Sequence, residues 1–192
     1  MIIYLHGFRS APASIKAQAL KARMTERGLA DRFWCEQLPV SPRAAIALAE
    51  AAIARARAAG LTPTVVGSSL GGYYATWLAE RHALRAVLVN PAVVAPLELE
   101  AYVGSQDNMY TGERFEFTRD HIEQLRALEV GAISRPERYW LMVETGDEVL
   151  DYRHAVSKYA GARQTVLEGG DHSFTRWNDY LDDVIRFAGL QP

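Results

Sequence analysis

The sequence predicts an α/β protein built on a doubly wound, mainly parallel sheet of about six strands. Two features of the chain predict this class. Short apolar runs alternate with helical segments from one end to the other, and the runs are continuously apolar instead of alternating with polar residues. Strands of that kind are typical of parallel sheets covered by helices on both faces. Because 192 residues suit one domain, we predict a single domain over residues 1–192.

The predicted strands and helices follow each other in order along the chain. The apolar runs interpreted as strands are residues 1–5, 32–38, 64–67, 85–90, 138–144 and 163–169. The helical segments between and after them are residues 14–27, 41–60, 70–82, 152–159 and 174–187. Capping residues support the first two helices, since Gly28 and Gly60 suit left-handed ends and Ser41 followed by Pro42 is typical of a helix start.

Composition and charge exclude several classes of protein. The formal net charge of −2 gives no electrostatic basis for binding nucleic acid or an anionic membrane surface. No apolar stretch approaches the length of a membrane span, and the first residues lack the basic region and apolar length of a signal peptide. Cys35 is the only cysteine, so no internal disulfide can form. Together these features predict a cytoplasmic location.

The most informative stretch is residues 65–74, VVGSSLGGYY, where a predicted strand passes into a helix through a glycine-rich turn. The pattern Gly-x-Ser-x-Gly fits only Ser69, between Gly67 and Gly71, and does not fit Ser68. A nucleophilic serine at such a sharp turn leaves no room for side chains two residues before and after it. We therefore predict Ser69 as a nucleophile. The alternative, a phosphate-binding turn, lacks the lysine of a P-loop.

A serine hydroxyl needs a general base, and His172 is the best candidate among the histidines. It lies in the segment LEGGDHSF, directly after the last predicted strand, where a glycine-rich loop can place an imidazole above the sheet. His6 follows the first strand and is interpreted as a structural residue. His82, His121 and His154 lie on helical segments and are predicted to be surface residues.

The carboxylate that would hold the imidazole is predicted to be Asp147. The segment VETGDEVLDY follows a predicted strand and offers Asp147, Glu148 and Asp151. Asp147 comes first after the glycine turn, whereas Asp151 suits the N-cap of the next helix. Asp171 is adjacent to His172 in the sequence, which is a poor arrangement for reaching Nδ1 of that ring. The resulting order of nucleophile, acid and base is that of the α/β-hydrolases.

Two backbone amides are candidates for binding a developing oxyanion. The N–H of Leu70 opens the helix that follows Ser69, and the His-Gly turn in YLHGF places the N–H of Phe8 opposite to it. No H-E-x-x-H motif and no cluster of cysteines and histidines indicates a metal site.

The blocks YLHGF, VVGSSLGGYYATWLAE, VNPAV, TGDEVLDYR and EGGDHSF together resemble the YqiA-like esterases, a family of small bacterial α/β-hydrolases. The resemblance runs from residue 3 to about residue 188. It implies the α/β-hydrolase fold, hydrolysis of carboxylic esters or acyl thioesters including acyl-CoA, no cofactor and a cytosolic location. It also implies that Ser69, Asp147 and His172 are the nucleophile, the acid and the base.

Residues 91–138 form a long insertion after the fourth predicted strand, with a helix near residues 119–129, and match the family less closely. The aromatic residues of this insertion are Tyr102, Tyr110, Phe115 and Phe117. We interpret the insertion as a lid that lines an acyl-binding pocket, with Tyr110 and Phe115 as pocket residues. The alternative is a crossover whose aromatic residues pack only within its own small core.

Three kinds of function are compatible with this set of residues. The favoured one is hydrolysis of an ester or a thioester through an acyl-enzyme intermediate. An acyltransferase or a peptidase would use the same three side chains and differ only in the acceptor or the bond cleaved. A non-catalytic binding protein on the same fold would be favoured if one of the three residues were missing, and none is.

Overall fold

The computed structural model of the protein describes residues 1–191. The strands in this range are β1 (Ile2–Leu5), β2 (Phe33–Trp34), β3 (Thr64–Ser68), β4 (Arg85–Val89), β5 (Gly104–Asp107), β6 (Arg114–Phe117), β7 (Tyr139–Glu144) and β8 (Arg163–Leu167). The helices are α1 (Ile15–Glu26), α2 (Pro42–Ala58), α3 (Leu70–His82), α4 (Ala95–Glu98), α5 (Arg119–Arg126), α6 (Tyr152–Lys158) and α7 (Leu181–Phe187). None of the helices in residues 1–191 combines the length and the hydrophobicity that crossing a membrane requires.

A parallel sheet runs through the centre of the molecule, with its strands in the order β2-β1-β3-β4-β7-β8. Every pairing between neighbouring strands of this sheet is parallel. The structure confirms the predicted fold class, including a main sheet of six strands. The strand order reverses between β1 and β3, and ligands of such sheets bind at the carboxyl ends of the strands beside that point.

Helices cover both faces of the sheet, and strand side chains alternate between the two layers. In β7, Tyr139 and Leu141 share one apolar core with residues of α2, α3, α5 and α6. Trp140 and Met142 belong to a second core, which α1 and α7 complete on the opposite face. All six residues of β7 are buried. This two-sided burial is the physical reason why the strands read as continuous apolar runs.

The second strand is shorter than predicted. Of residues 32–38, only the two residues of β2 pair with the sheet. Beyond them, the N–H of Leu38 donates to Nε2 of His6 at 3.0 Å, in the loop that follows β1. The chain leaves the sheet after Trp34 because its next hydrogen bonds go to that loop.

The last helix begins later than the predicted range 174–187. A turn of 3-10 helix, Trp177–Tyr180, comes first, and α7 follows it. Phe174 has a φ of 58°, a left-handed conformation that an α-helix excludes. The N–H of Thr175 donates to the carboxylate of Glu144, the last residue of β7, at 2.9 Å. This hydrogen bond holds the turn in place.

The insertion at residues 91–138 contains an antiparallel hairpin of β5 and β6 that the sequence did not predict. The sequence of β5, GSQD, carries none of the β-branched or aromatic residues that favour strands. The hairpin is fastened to the loop after β1, where the carbonyl of Arg9 accepts the N–H of Met109 at 2.8 Å. The side chain of Asn108 also donates to the carbonyl of Ser10 at 2.8 Å. These contacts with a distant loop stabilise a hairpin whose first strand, β5, local propensity does not favour.

Candidate active site

Four loops at the carboxyl edge of the sheet bring the predicted site residues together. They follow β1, β3, β7 and β8, and they carry Phe8, Ser69, Asp147 and His172. Because parallel strands all end at the same edge, residues far apart in the chain meet there. The first and second of these loops flank the point where the strand order reverses.

Ser69 occupies a strained turn between β3 and α3. Its φ of 54° and ψ of −122° lie outside the regions that residues with a side chain favour. The glycines on either side permit the turn: a Cβ on Gly67 would lie 2.2 Å from the carbonyl oxygen of Gly71. A Cβ on Gly71 would lie 1.9 Å from the carbonyl oxygen of Leu5. Neither position can accept any other residue without moving backbone.

The imidazole of His172 connects Ser69 to Asp147. Its Nε2 lies 3.1 Å from Oγ of Ser69, and its Nδ1 lies 2.9 Å from both carboxylate oxygens of Asp147. The Asp147 carboxylate is 2% exposed, and its Oδ1 also accepts the N–H groups of Val149 and Leu150 at 2.9 Å each. A carboxylate held in this way accepts a hydrogen bond from Nδ1–H, so the lone pair of Nε2 faces the serine hydroxyl. The arrangement can take a proton from Ser69.

The other carboxylates near His172 bond elsewhere. Glu148 accepts the backbone N–H of His172 at 3.0 Å, and Asp151 caps α6 by accepting the N–H of Arg153 at 3.0 Å. Asp171 accepts the N–H of the residue two positions later. Asp147 is therefore the carboxylate, within residues 1–191, that bonds the His172 ring.

The amides of Phe8 and Leu70 are available to a ligand. Neither N–H has a hydrogen-bond acceptor within the described residues. Gly7 packs so closely that a Cβ there would lie 3.2 Å from Cβ of Ser69, which brings the loop after β1 against the serine. Leu70 is the first residue of α3, where amide groups have no partner inside the helix.

His6 is a buried part of the same loop. It is 4% exposed, and burial lowers the pKa of its imidazole, so the ring is held in its neutral form. Its Nε2 accepts the N–H of Leu38, as a neutral ring can, and its Nδ1 lies 3.0 Å from the carbonyl of Gly7. These contacts shape the loop that presents Phe8.

Two cavities adjoin the loop after β1, and Ser69 lines the larger of them. A cavity of about 490 Å³ is lined by Ser69, His172 and Tyr110, and one of about 280 Å³ by Leu70 and Phe115. Phe8 lines both of them. The remaining aromatic residues of the insertion pack on the ring of Phe8, with centroid distances of 5.7 Å for Tyr102 and 4.9 Å for Phe117. Phe115 also packs on this ring, at 5.8 Å, so two of the four aromatic residues line cavities and three of the four contact Phe8.

Glu144 holds the histidine loop, residues 168–176, and the sequence did not predict this role. It is the last residue of β7 and is fully buried. Its carboxylate accepts the N–H groups of Asp171 and Thr175 at 3.0 and 2.9 Å and the guanidinium of Arg176 at 2.9 Å. Burial alone raises the pKa of a carboxyl group, but these hydrogen bonds outweigh it and hold the pKa of Glu144 at about 2.

Asn90 supports the same loop from the end of β4. Its side-chain amide donates to the carbonyls of Asp171 and His172 at 3.0 and 3.2 Å, and its Oδ1 accepts the N–H of Glu144 at 3.0 Å. The sequence carried one signal for both residues: a polar side chain stands at or directly after the end of a buried strand. Such positions face the edge of the sheet where the site lies.

We expect Glu144→Gln to lower the free energy of unfolding at pH 7 by about 3 kcal/mol, because it removes a buried charge that several donors surround. The pKa of Glu144 is lowered on folding, so its stabilisation is present above its ordinary pKa of 4.5 and is lost towards about 2. The difference in the free energy of unfolding between variant and wild type, measured by urea unfolding, should therefore narrow as the pH falls from 4.5 towards about 2. Glu137→Gln, which removes an exposed partner of Arg135, is the control and should change little. Equal stability of wild type and Glu144→Gln at pH 7 would contradict this account.

Solved structures of other proteins share this architecture. A protein from Agrobacterium vitis S4 is 23% identical with a TM-score of 0.72, over 96% of this chain and 86% of that one. The mouse alpha/beta hydrolase domain-containing protein 10 is 16% identical with a TM-score of 0.70, over 96% and 89%. A monoacylglycerol lipase from Paleococcus ferrophilus is 16% identical with a TM-score of 0.67, over 97% and 93%. The protein has the α/β-hydrolase fold.

The chain belongs to the family described as uncharacterised protein family UPF0227, whose sequence profile matches residues 1–189. This is the YqiA family, so the match confirms the resemblance drawn from the sequence blocks. Within residues 1–191, no group of three or more histidine, cysteine, aspartate or glutamate side chains is arranged to hold a metal ion.

Proposed function

We propose that the protein is a serine hydrolase that cleaves carboxylic esters or acyl thioesters, including acyl-CoA, through an acyl-enzyme intermediate. One observation carries the proposal: the ring of His172 lies 3.1 Å from Oγ of Ser69 and 2.9 Å from the carboxylate of Asp147. A hydroxyl in contact with a base, which a carboxylate orients in turn, is the arrangement that nucleophilic catalysis at neutral pH requires. The strained turn at Ser69 supports the same conclusion.

In the proposed mechanism Ser69 Oγ attacks the acyl carbonyl carbon while its proton moves to Nε2 of His172. Asp147 stabilises the imidazolium that forms, and the amides of Phe8 and Leu70 bind the negative carbonyl oxygen. The tetrahedral intermediate then breaks its bond to the alcohol or thiol, which takes the proton from His172. Water attacks the acyl-enzyme with His172 as base, the acid is released, and Ser69 regains its proton. These steps conserve atoms, protons and charge without the participation of a cofactor.

The substrate is proposed to be a small molecule with an acyl chain. The cavity beside Leu70 and Phe115 would receive the chain, because it adjoins the amides that bind the carbonyl oxygen. We also propose that residues 91–138 act as a lid within a single domain of residues 1–192. The contribution of Tyr110 to the cavity around Ser69 supports a role for this insertion in substrate binding.

The proposal is tested by a panel of p-nitrophenyl esters and acyl-CoA thioesters with acyl chains of graded length. We expect turnover that saturates with substrate and depends on chain length, together with covalent labelling by a fluorophosphonate. No turnover of any member, combined with no labelling of the folded protein, would exclude a serine hydrolase.

Replacing Phe115 with alanine should change the acyl-chain preference more than it lowers the rate on a short ester, because Phe115 lines the cavity proposed for the acyl chain. Pocket walls contact the remote part of the chain, whereas Ser69, Asp147 and His172 act on any acyl group. We expect the ratio of kcat/KM between long and short esters to shift by about tenfold. Phe33→Ala, which removes an aromatic ring that lines neither cavity, is the control. A uniform loss across chain lengths would support packing as the only role of the Phe115 ring.

A further inference from the structure

The cavity that contains Ser69 and His172 also contains a cation. Lys16 is the only lysine or arginine among the residues of 1–191 that line it. Its ammonium donates to the carbonyl of Ser173 at 2.7 Å, and no carboxylate in the described range forms an ion pair with it. Burial lowers the pKa of Lys16 to about 8, while the more distant carboxylates of Asp171, Asp147 and Glu144 oppose the decrease. The side chain of Lys16 is partly buried, so its ammonium has lost part of its hydration without gaining an ion-pair partner among residues 1–191, and an anionic ligand would offset that loss.

A second observation at the same wall also indicates an anion. Ser14 precedes α1 and occupies the N-cap position, but its hydroxyl does not cap the helix and has no other hydrogen-bond partner within the described residues. Ser14 is only 7% exposed, and it lines the cavity together with Ile15 and Lys16. The first turn of α1 contains no acidic residue, and the N–H groups of Ile15, Lys16 and Ala17 have no acceptor in the described part of the chain. An uncapped helix start with a free hydroxyl and an ammonium is suited to a carboxylate or a phosphate.

The position of Lys16 indicates which part of a substrate carries the anion. The lysine bonds to Ser173, the residue after His172. In the proposed reaction His172 gives its proton to the departing alcohol or thiol, so the leaving group lies on the His172 side of the acyl carbonyl. The amides of Phe8 and Leu70 mark the position of the carbonyl oxygen. An anion at Lys16 therefore belongs to the leaving group and not to the acyl chain.

We propose that Lys16, Ser14 and the first turn of α1 form a subsite for a carboxylate or a phosphate on the leaving group of the substrate. The subsite rests on the proposed hydrolase function and specifies its substrate class. Glu148 lines the same cavity, but its carboxylate accepts the backbone N–H of His172. Ile15 and Val149 are exposed at 75% and 52% and give the cavity an apolar rim, which suits the uncharged part of such a leaving group.

The test uses two pairs of butyrate esters that differ in one charge. The carboxylate pair is 4-(butyryloxy)benzoic acid and its methyl ester, and the phosphate pair is monobutyryl glycerol 3-phosphate and monobutyrin. For each pair, the ratio of kcat/KM for the anionic ester to that for the neutral ester is measured at constant ionic strength. A substitution at Lys16 that disturbs the histidine loop lowers kcat/KM for both members of a pair by the same factor. This factor cancels in the ratio.

We expect Lys16→Met to lower the ratio by about tenfold or more in at least one pair. Lys16→Arg keeps the positive charge, and its ratio should stay close to that of the wild type. Ser14→Ala should lower the ratio by a smaller factor. Lys21→Met removes a lysine from the same helix that does not line the cavity, and its ratio should equal that of the wild type. The pair that responds identifies the anion. An unchanged ratio in both pairs for Lys16→Met overturns the subsite.

A binding measurement separates failure of the subsite from failure of the hydrolase. If no ester is cleaved, the proposed hydrolysis is wrong, and calorimetry with 4-hydroxybenzoate and glycerol 3-phosphate still tests the subsite. Weaker binding of either anion to Lys16→Met than to the wild type and Lys21→Met supports it. Equal affinity for all three proteins, or no binding to any of them, overturns it.

Discussion

Replacing Ser69 with alanine is expected to abolish ester hydrolysis and covalent labelling by a fluorophosphonate. Removing the nucleophile of a serine hydrolase lowers kcat by about a millionfold, so residual turnover should not be detectable. Alanine retains the β-carbon in the strained turn and removes only the oxygen that lies 3.1 Å from His172. The circular dichroism spectrum of the variant should therefore match that of the wild type.

Ser68→Ala is the matched control for this experiment. Ser68 is the last residue of β3, is 6% exposed and makes no hydrogen bond to the His172 ring. We expect this variant to keep both turnover and labelling. Peptide mapping of the labelled protein by mass spectrometry should place the adduct on Ser69. Loss of the label in Ser68→Ala, together with labelling of Ser69→Ala, would show that Ser68 is the nucleophile.

Asp147→Asn is expected to lower kcat by about 10⁴-fold without unfolding the protein. The amides of Val149 and Leu150 both donate to Oδ1 of Asp147, so the oxygen of an asparagine would remain at that position. Its NH₂ group would then replace Oδ2, 2.9 Å from Nδ1 of His172. A donor there favours the tautomer with hydrogen on Nε2, which cannot accept the proton of Ser69. Steady-state kinetics at saturating ester measures the loss.

Asp151→Asn tests whether Asp147 is the correct carboxylate. Asp151 caps α6 and pairs with Arg153 at the surface, and asparagine is also a good N-cap, so activity should remain close to that of the wild type. Glu148 is the carboxylate that could replace Asp147, since it already contacts the backbone of His172. Asp147→Asn combined with Glu148→Gln should then lower the rate further. A large loss of activity in Asp151→Asn alone would assign the acid to Asp151.

Local features of the chain were sufficient to predict the class of the fold and the position of the candidate nucleophile. A buried strand, a glycine-bounded turn and a helix start are encoded in consecutive residues, which is why Ser69 could be singled out from residues 65–74. Asp147 and His172 were predictable for a related reason. Each follows the end of a strand, and parallel strands end at one edge of the sheet.

The elements that the sequence did not predict depend on contacts between residues far apart in the chain. Strand β5 of the hairpin has little strand propensity of its own, and the hairpin is held by the loop after β1, as in the hydrogen bond from the N–H of Met109 to the carbonyl of Arg9. The late start of α7 reflects the left-handed Phe174 beside a loop that Glu144 holds from another strand. Such hydrogen bonds have no signature in consecutive residues, because the order of strands in the sheet decides which groups meet.

The same division applies to the candidate site. Residue type and spacing alone determined which hydroxyl, imidazole and carboxylate could act together. Only the tertiary structure showed that Glu144 and Asn90 hold the histidine loop, and that Lys16 lines the cavity of Ser69 without an ion-pair partner among residues 1–191. The position of a lysine on a helix says nothing about the cavity it lines. That depends on how α1 packs against the sheet, and the packing is a property of the whole chain.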